Sequence, residues 1–351
     1  MRRTSALIVG GGPAGASAAI ELARGGAMPV LIERCPGARD LVCGGFLGWD
    51  ALAALERLGL DVAALGARPI HRLRLVSGGR TVEAALPKEA AGLSRKRLDA
   101  ALLHMAEEAG AAVLRGRTAR ALDGRRLRLD GGEEMEAEAL FLATGKHELR
   151  GAAREIGDRP VSVGLRAALP PIPDLAGVIE LHLFDGGYAG LLTEETGATN
   201  LCLTVTRARM TDRDALLAAL IAEAPLLGER IGPSRPGPWE AVSGVPYGWR
   251  ARTTAPGCYR IGDQAAVIAS LAGDGIAVAL ASGAAAAHAC LRDDDGAAGY
   301  QRAFAARAKR PVGIAETLRH MAEAPVRRRL MLGMAGVPGL AQLATRMTRI
   351  G

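Results

Sequence analysis

Apolar positions near the start of the chain change period twice within about thirty residues. Ala6-Leu7-Ile8-Val9 is a continuous apolar run of strand length, Ala14 to Arg24 carries apolar residues at helical spacing, and Met28-Pro29-Val30-Leu31-Ile32 is a second short run. Short continuous runs flanking a helix predict strands buried on both faces of a parallel sheet. His71 to Leu86 reads as a hairpin, and Ser94 to Gly145 returns to the first sheet. From about Pro160 to Arg252 the pattern becomes short alternating runs, Val161 to Leu169, Val178 to Phe184 and Asn200 to Val205, which predict an antiparallel sheet. Cys258 to Ile261 predicts a strand leading back. Gly275 to Leu291 is uncharged, Ala-rich and short for a membrane span, so it reads as a buried helix. Pro170 to Pro173 and Pro233 to Pro238 are loops by composition, the second placed to border a substrate entrance. No internal repeat interrupts this order.

The length of 351 residues suits two intimately joined domains, and 49% hydrophobic with only 3% aromatic residues means a core of Ala, Leu, Val and Ile. Aromatic platforms for stacking bases are scarce, so no nucleic-acid partner is expected. The net charge of +7 is a property of the tail: residues 301 to 351 hold ten Arg or Lys against Glu316 and Glu323. Arg327-Arg328-Arg329, Leu330-Met331-Leu332, Leu340, Leu343 and Met347 could form a basic amphipathic surface for anionic lipid, a handle for an anionic substrate, or simply a solvated helical face. Five cysteines, odd in number and without a Cys-x-x-Cys pair, point to a reducing compartment. Because the first strand starts close to Met1, no cleavable leader is expected; the location read is cytoplasmic, with a peripheral place at the inner membrane surface as the alternative the basic tail allows. The six histidines show no metal-ligand spacing, and no metal site is expected.

The strongest chemical signal is Gly10-Gly11-Gly12-Pro13-Ala14-Gly15 between the first strand and its helix. Gly10 permits the tight turn, Gly12 lets a pyrophosphate approach the backbone, and Gly15 allows close helix packing, with the helix N-terminus, opened by Pro13 and Ala14, facing the phosphates. Glu33, followed by Arg34, ends the second strand 18 residues after Gly15, where a carboxylate accepts hydrogen bonds from a ribose 2′-hydroxyl.

Four stretches together resemble the flavoprotein superfamily of para-hydroxybenzoate hydroxylase and the geranylgeranyl reductases. Besides the glycine loop, Leu93-Ser94-Arg95-Lys96-Arg97-Leu98-Asp99 is similar to a helix start whose first Arg, here Arg95, contacts FAD in that family. Leu142-Ala143-Thr144-Gly145 stands where the family has Ala-Asp-Gly, and Gly262-Asp263 matches the motif whose Asp holds the flavin ribityl chain. The resemblance implies bound FAD, NADPH or NADH as electron donor, and a mixed α/β fold. In that fold a Rossmann-type FAD-binding domain with a glutathione-reductase-like βαβ unit (1–70, 94–159 and 253–300) is interleaved with an antiparallel substrate-binding sheet domain (71–93 and 160–252), and residues 301–351 form a basic helical segment. Thr144, Ala266 and Ser270 depart from the hydroxylases. Gly273-Asp274-Gly275-Ile276, Ser282-Gly283 and Cys43-Gly44-Gly45, which the reductases place beside the isoalloxazine, resemble the reductase branch instead.

Cys43 and Tyr188 are the candidate proton donors, each with packing as its plain rival. Trp49, Trp239 and Trp249 read as filling, and Lys146-His147 as a surface pair. No Gly-x-Ser-x-Gly elbow is present, so redox chemistry is expected to reside in the cofactor. The leading expectation is hydride transfer from reduced FAD to a double bond of a lipophilic, prenyl or polyketide-like molecule. The alternatives are an NAD(P)H- and oxygen-dependent monooxygenase acting on an aromatic or polyketide substrate, and a membrane-surface flavoprotein with a mainly binding role.

Overall fold

The first strand, β1 (Arg2–Val9), is paired in parallel on both sides, Leu7 opposing Val30 and Ile8 opposing Phe141, and its Ala6 to Val9 are buried. Gly10 leaves it at φ 111°, and a Cβ there would lie 2.3 Å from the Ala143 carbonyl oxygen. The chain then enters α1 (Pro13–Arg24), whose Gly15 sits so close that a Cβ would meet the Gly10 carbonyl oxygen at 2.0 Å. These observations come from a computed structural model that describes residues 2–232, 236–292 and 296–351. Pro233 to Arg235 of the loop read as an entrance border lie outside the described residues.

In chain order the remaining strands are β2 (Val30–Glu33), β3 (Phe46–Leu47), β4 (Arg68–Ser77), β5 (Arg80–Gly92), β6 (Ala112–Arg115), β7 (Ala119–Asp123), β8 (Arg126–Leu129), β9 (Glu134–Leu142), β10 (Ser162–Leu169), β11 (Val178–Phe184), β12 (Gly187–Thr193), β13 (Thr199–Thr206), β14 (Glu240–Val245) and β15 (Cys258–Arg260). The remaining helices are α2 (Trp49–Leu58), α3 (Arg95–Glu108), α4 (Arg213–Glu223), α5 (Pro225–Ile231), α6 (Gly275–Arg292), α7 (Gly296–Arg307), α8 (Lys309–Glu323), α9 (Pro325–Ala335) and α10 (Leu340–Met347). One sheet runs β6-β2-β1-β9-β8-β7, with β15 joining β9 in parallel. The other runs β14-β10-β13-β12-β11-β4-β5-β3 and is antiparallel except where β4 meets β11. Since β3, β4 and β5 fall between β2 and β6 in sequence, the two sheets are interleaved along the chain. This is the mixed α/β fold that the sequence predicts.

Small residues bring α6 onto α1. A Cβ on Gly283 would lie 2.3 Å from the Ala14 carbonyl oxygen, and Ser17 Oγ donates to the Leu280 carbonyl at 3.1 Å. The length and hydropathy of α6 would suit a membrane span, but half of it is buried inside the fold.

The second sheet has two different faces, as its two-residue side-chain period requires. Ala189, Leu191, Leu201, Leu203 and Val205 pack under α4 and α5. On the same side Glu180, fully buried, meets Arg74 at 2.7 Å, Arg230 at 3.1 Å and His182 at 2.8 Å. Burial pushes against its charge, but these donors win and hold its carboxyl down at about 2. On the opposite face Leu75, Leu181, Leu183 and Tyr188 pack with Ala322 of α8 and Leu332 of α9.

Candidate active site

A cavity of about 740 Å³ is lined by the loops at the carboxyl ends of the first sheet and by one face of the second. At one end stand Gly10, Gly12, Pro13 and Ala14, with no side chain capping the N-terminus of α1. That leaves amide donors free for an anion. Glu33 fixes the loop around them: one carboxylate oxygen accepts from Gly11 N at 2.7 Å and the other from Cys35 N at 2.8 Å. Arg34 lines the wall next to it and meets His147 at 2.8 Å.

Arg95 opens α3, whose cap Ser94 accepts from Arg97 N at 3.1 Å. Its guanidinium donates twice to Asp99, at 2.8 and 2.6 Å, and comes so close to Gly12 that a Cβ there would lie 3.2 Å from Nη2. Burial opposes the charge on Arg95, but Asp99 and the neighbouring Cys43 thiol outweigh it and raise its pKa; burial likewise raises that of Asp99, against the pull of Arg95. A bare helix N-terminus, a cation over it and a carboxylate at the end of β2 fit a dinucleotide pyrophosphate and its ribose.

Farther along, Ala143, Thr144, Gly145, Gly262 and Asp263 line the cavity. Asp263 pairs with Lys146 Nζ at 3.3 Å. Half-buried Lys146 and the more exposed His147 both line the cavity, which corrects the surface-pair expectation, and Asp263 raises the pKa of Lys146. The turn after Gly145 brings Lys146 within reach of Asp263, 117 positions farther along the chain, which spacing in the sequence does not show.

Cys43 and Gly44 form the next part of the wall, opposite Gly273, Gly275 and Ile276. The Cys43 carbonyl accepts from Asn200 Nδ2 at 2.9 Å, and Asn200 in turn accepts from Arg166 Nε at 2.9 Å. Arg166 also binds Asp40 at 3.0 Å and Glu194 at 3.1 Å, and burial, opposed by Arg166, lifts Glu194 to about 7. Sequence reading misses this support because its members come from β10, β13 and two separate loops. Gly15 and Gly45, both named as cofactor-binding, lie behind the lining. Gly15 serves the packing of α1 on its loop, and Gly45, at φ 69°, turns the Cys43 loop against Glu194. Nor does any of the three tryptophans belong to the lining.

At the far end the wall is apolar, with Leu73, Leu86, Ile179, Leu181 and Leu271, and it holds four hydroxyl groups. Tyr188 accepts from Leu271 N at 2.9 Å and shares a short hydrogen bond with Ser270. Ser270 Oγ also reaches Tyr247 at 2.9 Å and Thr204 at 3.1 Å. Burial drives the Tyr188 pKa well above its usual value, so the phenol stays protonated. Thr204 and Tyr247 carry no sequence motif, and only the departure at Ser270 hinted at this cluster. Burial, with Cys43 nearby, also pushes the Cys202 thiol in this wall up to about 12.

Asp274, which the sequence places in the site, is fully buried behind the lining instead. Its oxygens accept from Arg349 at 2.7 Å and from Ile350 N at 2.9 Å. Arg349 lies 4.4 Å over the Trp49 ring and also donates to the Ala272 carbonyl at 3.1 Å, so the C-terminus clamps the glycine loop that borders the cavity. Among the described residues no group of His, Cys, Asp or Glu is arranged to hold a metal.

Residues 3–150 match the family model for an FAD binding domain. The chain is 30% identical over 306 residues to a menaquinone reductase of Mycobacterium tuberculosis, covering 79% of this chain and 74% of that protein. It is 29% identical over 339 residues to the menaquinone reductase of Mycolicibacterium smegmatis, covering 86% and 79% respectively. The solved structure of a geranylgeranyl bacteriochlorophyll reductase-like protein from Thermoplasma acidophilum superposes with a TM-score of 0.82 at 19% identity, over 99% of this chain and 96% of the other.

Proposed function

This chain belongs to the FAD-dependent oxidoreductases of the para-hydroxybenzoate hydroxylase and geranylgeranyl reductase superfamily, and on that premise we propose that it reduces a carbon–carbon double bond of a lipophilic prenyl or polyketide-like molecule, with NADPH or NADH as electron donor. The observation that carries the reading is the apolar far end of the cavity, where the protonated Tyr188 hydroxyl is held by Leu271 N and Ser270. The relatives named as menaquinone reductases support it, because a quinone with a polyprenyl tail is a substrate of this chemical class.

When bound and reduced, FAD supplies hydride. The chain's own residues do the rest. Gly10 to Ala14 and Arg95 would hold the pyrophosphate, Glu33 the ribose and Asp263 with Lys146 the ribityl chain, while Cys43-Gly44 and the Gly273 to Ile276 loop would enclose the ring. Leu73, Leu86, Ile179 and Leu181 exclude water around an apolar substrate. As hydride reaches one carbon of the double bond, Tyr188 gives its proton to the other, so the product gains two hydrogens. The Leu271 amide and Ser270 hydroxyl steady the phenolate left behind, and Ser270, bonded to Tyr247 and Thr204, relays back to it a proton drawn from solvent.

The test is anaerobic single turnover with a prenylated quinone. The expected product is heavier by two hydrogens, and Tyr188→Phe slows its formation about 10²- to 10⁴-fold while leaving reduction of the flavin by the nicotinamide unchanged. Cys43→Ala is the control for the second candidate donor. If product forms only with oxygen and carries an atom of labelled oxygen gas, the reductase reading is wrong and the oxygenase reading replaces it.

A further inference from the structure

We infer that α9 and α10 form a docking surface for an anionic lipid bilayer, seated one helix away from the apolar end of the cavity. Among the described residues, Val326 (78% exposed), Leu330 (60%), Met334 (37%), Val337 (49%), Leu340 (40%) and Leu343 (52%) are apolar side chains left facing solvent. Val326, Leu330 and Met334 recur at four-residue spacing along one face of α9, and Leu340 and Leu343 continue at three-residue spacing on α10. Single exposed apolar residues need no explanation, but a contiguous set on two consecutive helices does.

Charge selects the occupant. Pro325 to Gly351 contains no Asp or Glu, while Arg327, Arg329 and Arg346 are exposed beside the ridge. A second copy of the chain would bring the same cations against each other, whereas an anionic membrane attracts them. The proportions are those of an interfacial helix pair, apolar residues to the acyl boundary and arginines to the headgroups.

The opposite face of α9 places this surface in relation to the site. Met331, Leu332 and Ala335 belong to the same apolar cluster as Leu73, Ile179 and Leu181, three apolar residues of the cavity wall. On α10, Thr345 itself lines the cavity, and Gln342 donates to the carbonyl of Ala85, the neighbour of Leu86. A helix with its side chains is about 10 Å across, so bilayer and cavity lie on the two sides of one helix. A substrate dissolved in the bilayer would then reach the apolar end without crossing water. This use of the surface rests on the lipophilic-substrate reading above; the docking itself does not.

Co-sedimentation of the flavin-loaded protein with vesicles tests docking without turnover, so that its failure and the failure of the reductase reading are separable. Vesicles of phosphatidylcholine with phosphatidylglycerol should bind the parent, pure phosphatidylcholine should bind it far less, and raised salt should weaken the binding. Arg327→Gln with Arg329→Gln should lower the vesicle affinity about 25-fold, about five-fold per charge. Leu330→Ser with Leu343→Ser should lower it at least ten-fold by removing apolar area from the interface. Flavin content, unchanged in both variants, confirms their folding. Absent parent binding to the anionic vesicles, or undiminished binding of the leucine variant, overturns the proposal. So does a dimer in analytical ultracentrifugation that the leucine substitutions dissociate, which would give the ridge to a second copy.

Discussion

Replacing Arg349 by Ala removes the cation that faces a fully buried carboxylate. Asp274 already sits at about 6, against an ordinary 3.8, because burial outweighs the help of Arg349. A carboxyl whose folded pKa is raised costs stability as it ionises: the cost is absent below about pH 3.8 and complete above pH 6, where a shift of about two units amounts to about 3 kcal/mol. Without Arg349 the folded pKa climbs further, since Arg349 is its main depressing influence. At pH 8 the variant must either bury an unpaired charge or take up a proton, and breaking such a buried pair costs about 3–5 kcal/mol. At pH 5 the carboxyl is largely protonated in the parent too, so only hydrogen bonds and the stacking on Trp49 are lost, about 1–2 kcal/mol. Urea unfolding at both pH values should therefore show a gap between parent and Arg349→Ala that widens by about 2 kcal/mol on going from pH 5 to pH 8. Adding Asp274→Asn should recover most of the widening. Equal gaps at the two pH values would refute the electrostatic account and leave Arg349 as a packing residue.

Gly12→Val fills the space between the α1 N-terminus and Arg95, and Asp263→Ala removes the partner of Lys146; each should strip most of the bound flavin, read from the ratio of flavin to protein absorbance. Glu180 has a depressed folded pKa of about 2 against 4.5, so its contribution of about 3 kcal/mol is present above pH 4.5 and lost as pH falls through 2. Glu180→Gln should thus destabilise the protein at neutral pH and lose its disadvantage near pH 2, as denaturant titrations at several pH values would reveal.

The glycine loop, its flanking strands and Glu33 were legible in the sequence because they are a local device. The turn at Gly10, the helix start at Pro13 and the carboxylate at Glu33 lie within one βαβ unit, and their spacing alone dictates what they can hold. Tyr188 was named there as a candidate proton donor through the resemblance to the reductases. The groups that hold it were not, since Thr204 stands on β13, Tyr247 follows β14 and Ser270 opens a short turn after β15. A hydroxyl without a motif is silent until the fold brings it within hydrogen-bonding distance of another.

Lys146 and Asp274 show the same limit from the other side. Lys146 and His147 read as a surface pair, yet both line the cavity and the turn aims Lys146 at Asp263; Asp274 looked like a cavity residue, yet Arg349 and Ile350 claim it. The basic tail was visible as a charge count, but its division into Arg349, turned inward, and Arg327 and Arg329, left outside beside an apolar ridge, is a matter of helix packing. Spacing along the chain determined that this protein can bind a dinucleotide, because backbone geometry over a few residues is set locally. Which side chains face the bound molecule was decided only by tertiary contact, because burial and ionic partners come from parts of the chain far apart in sequence.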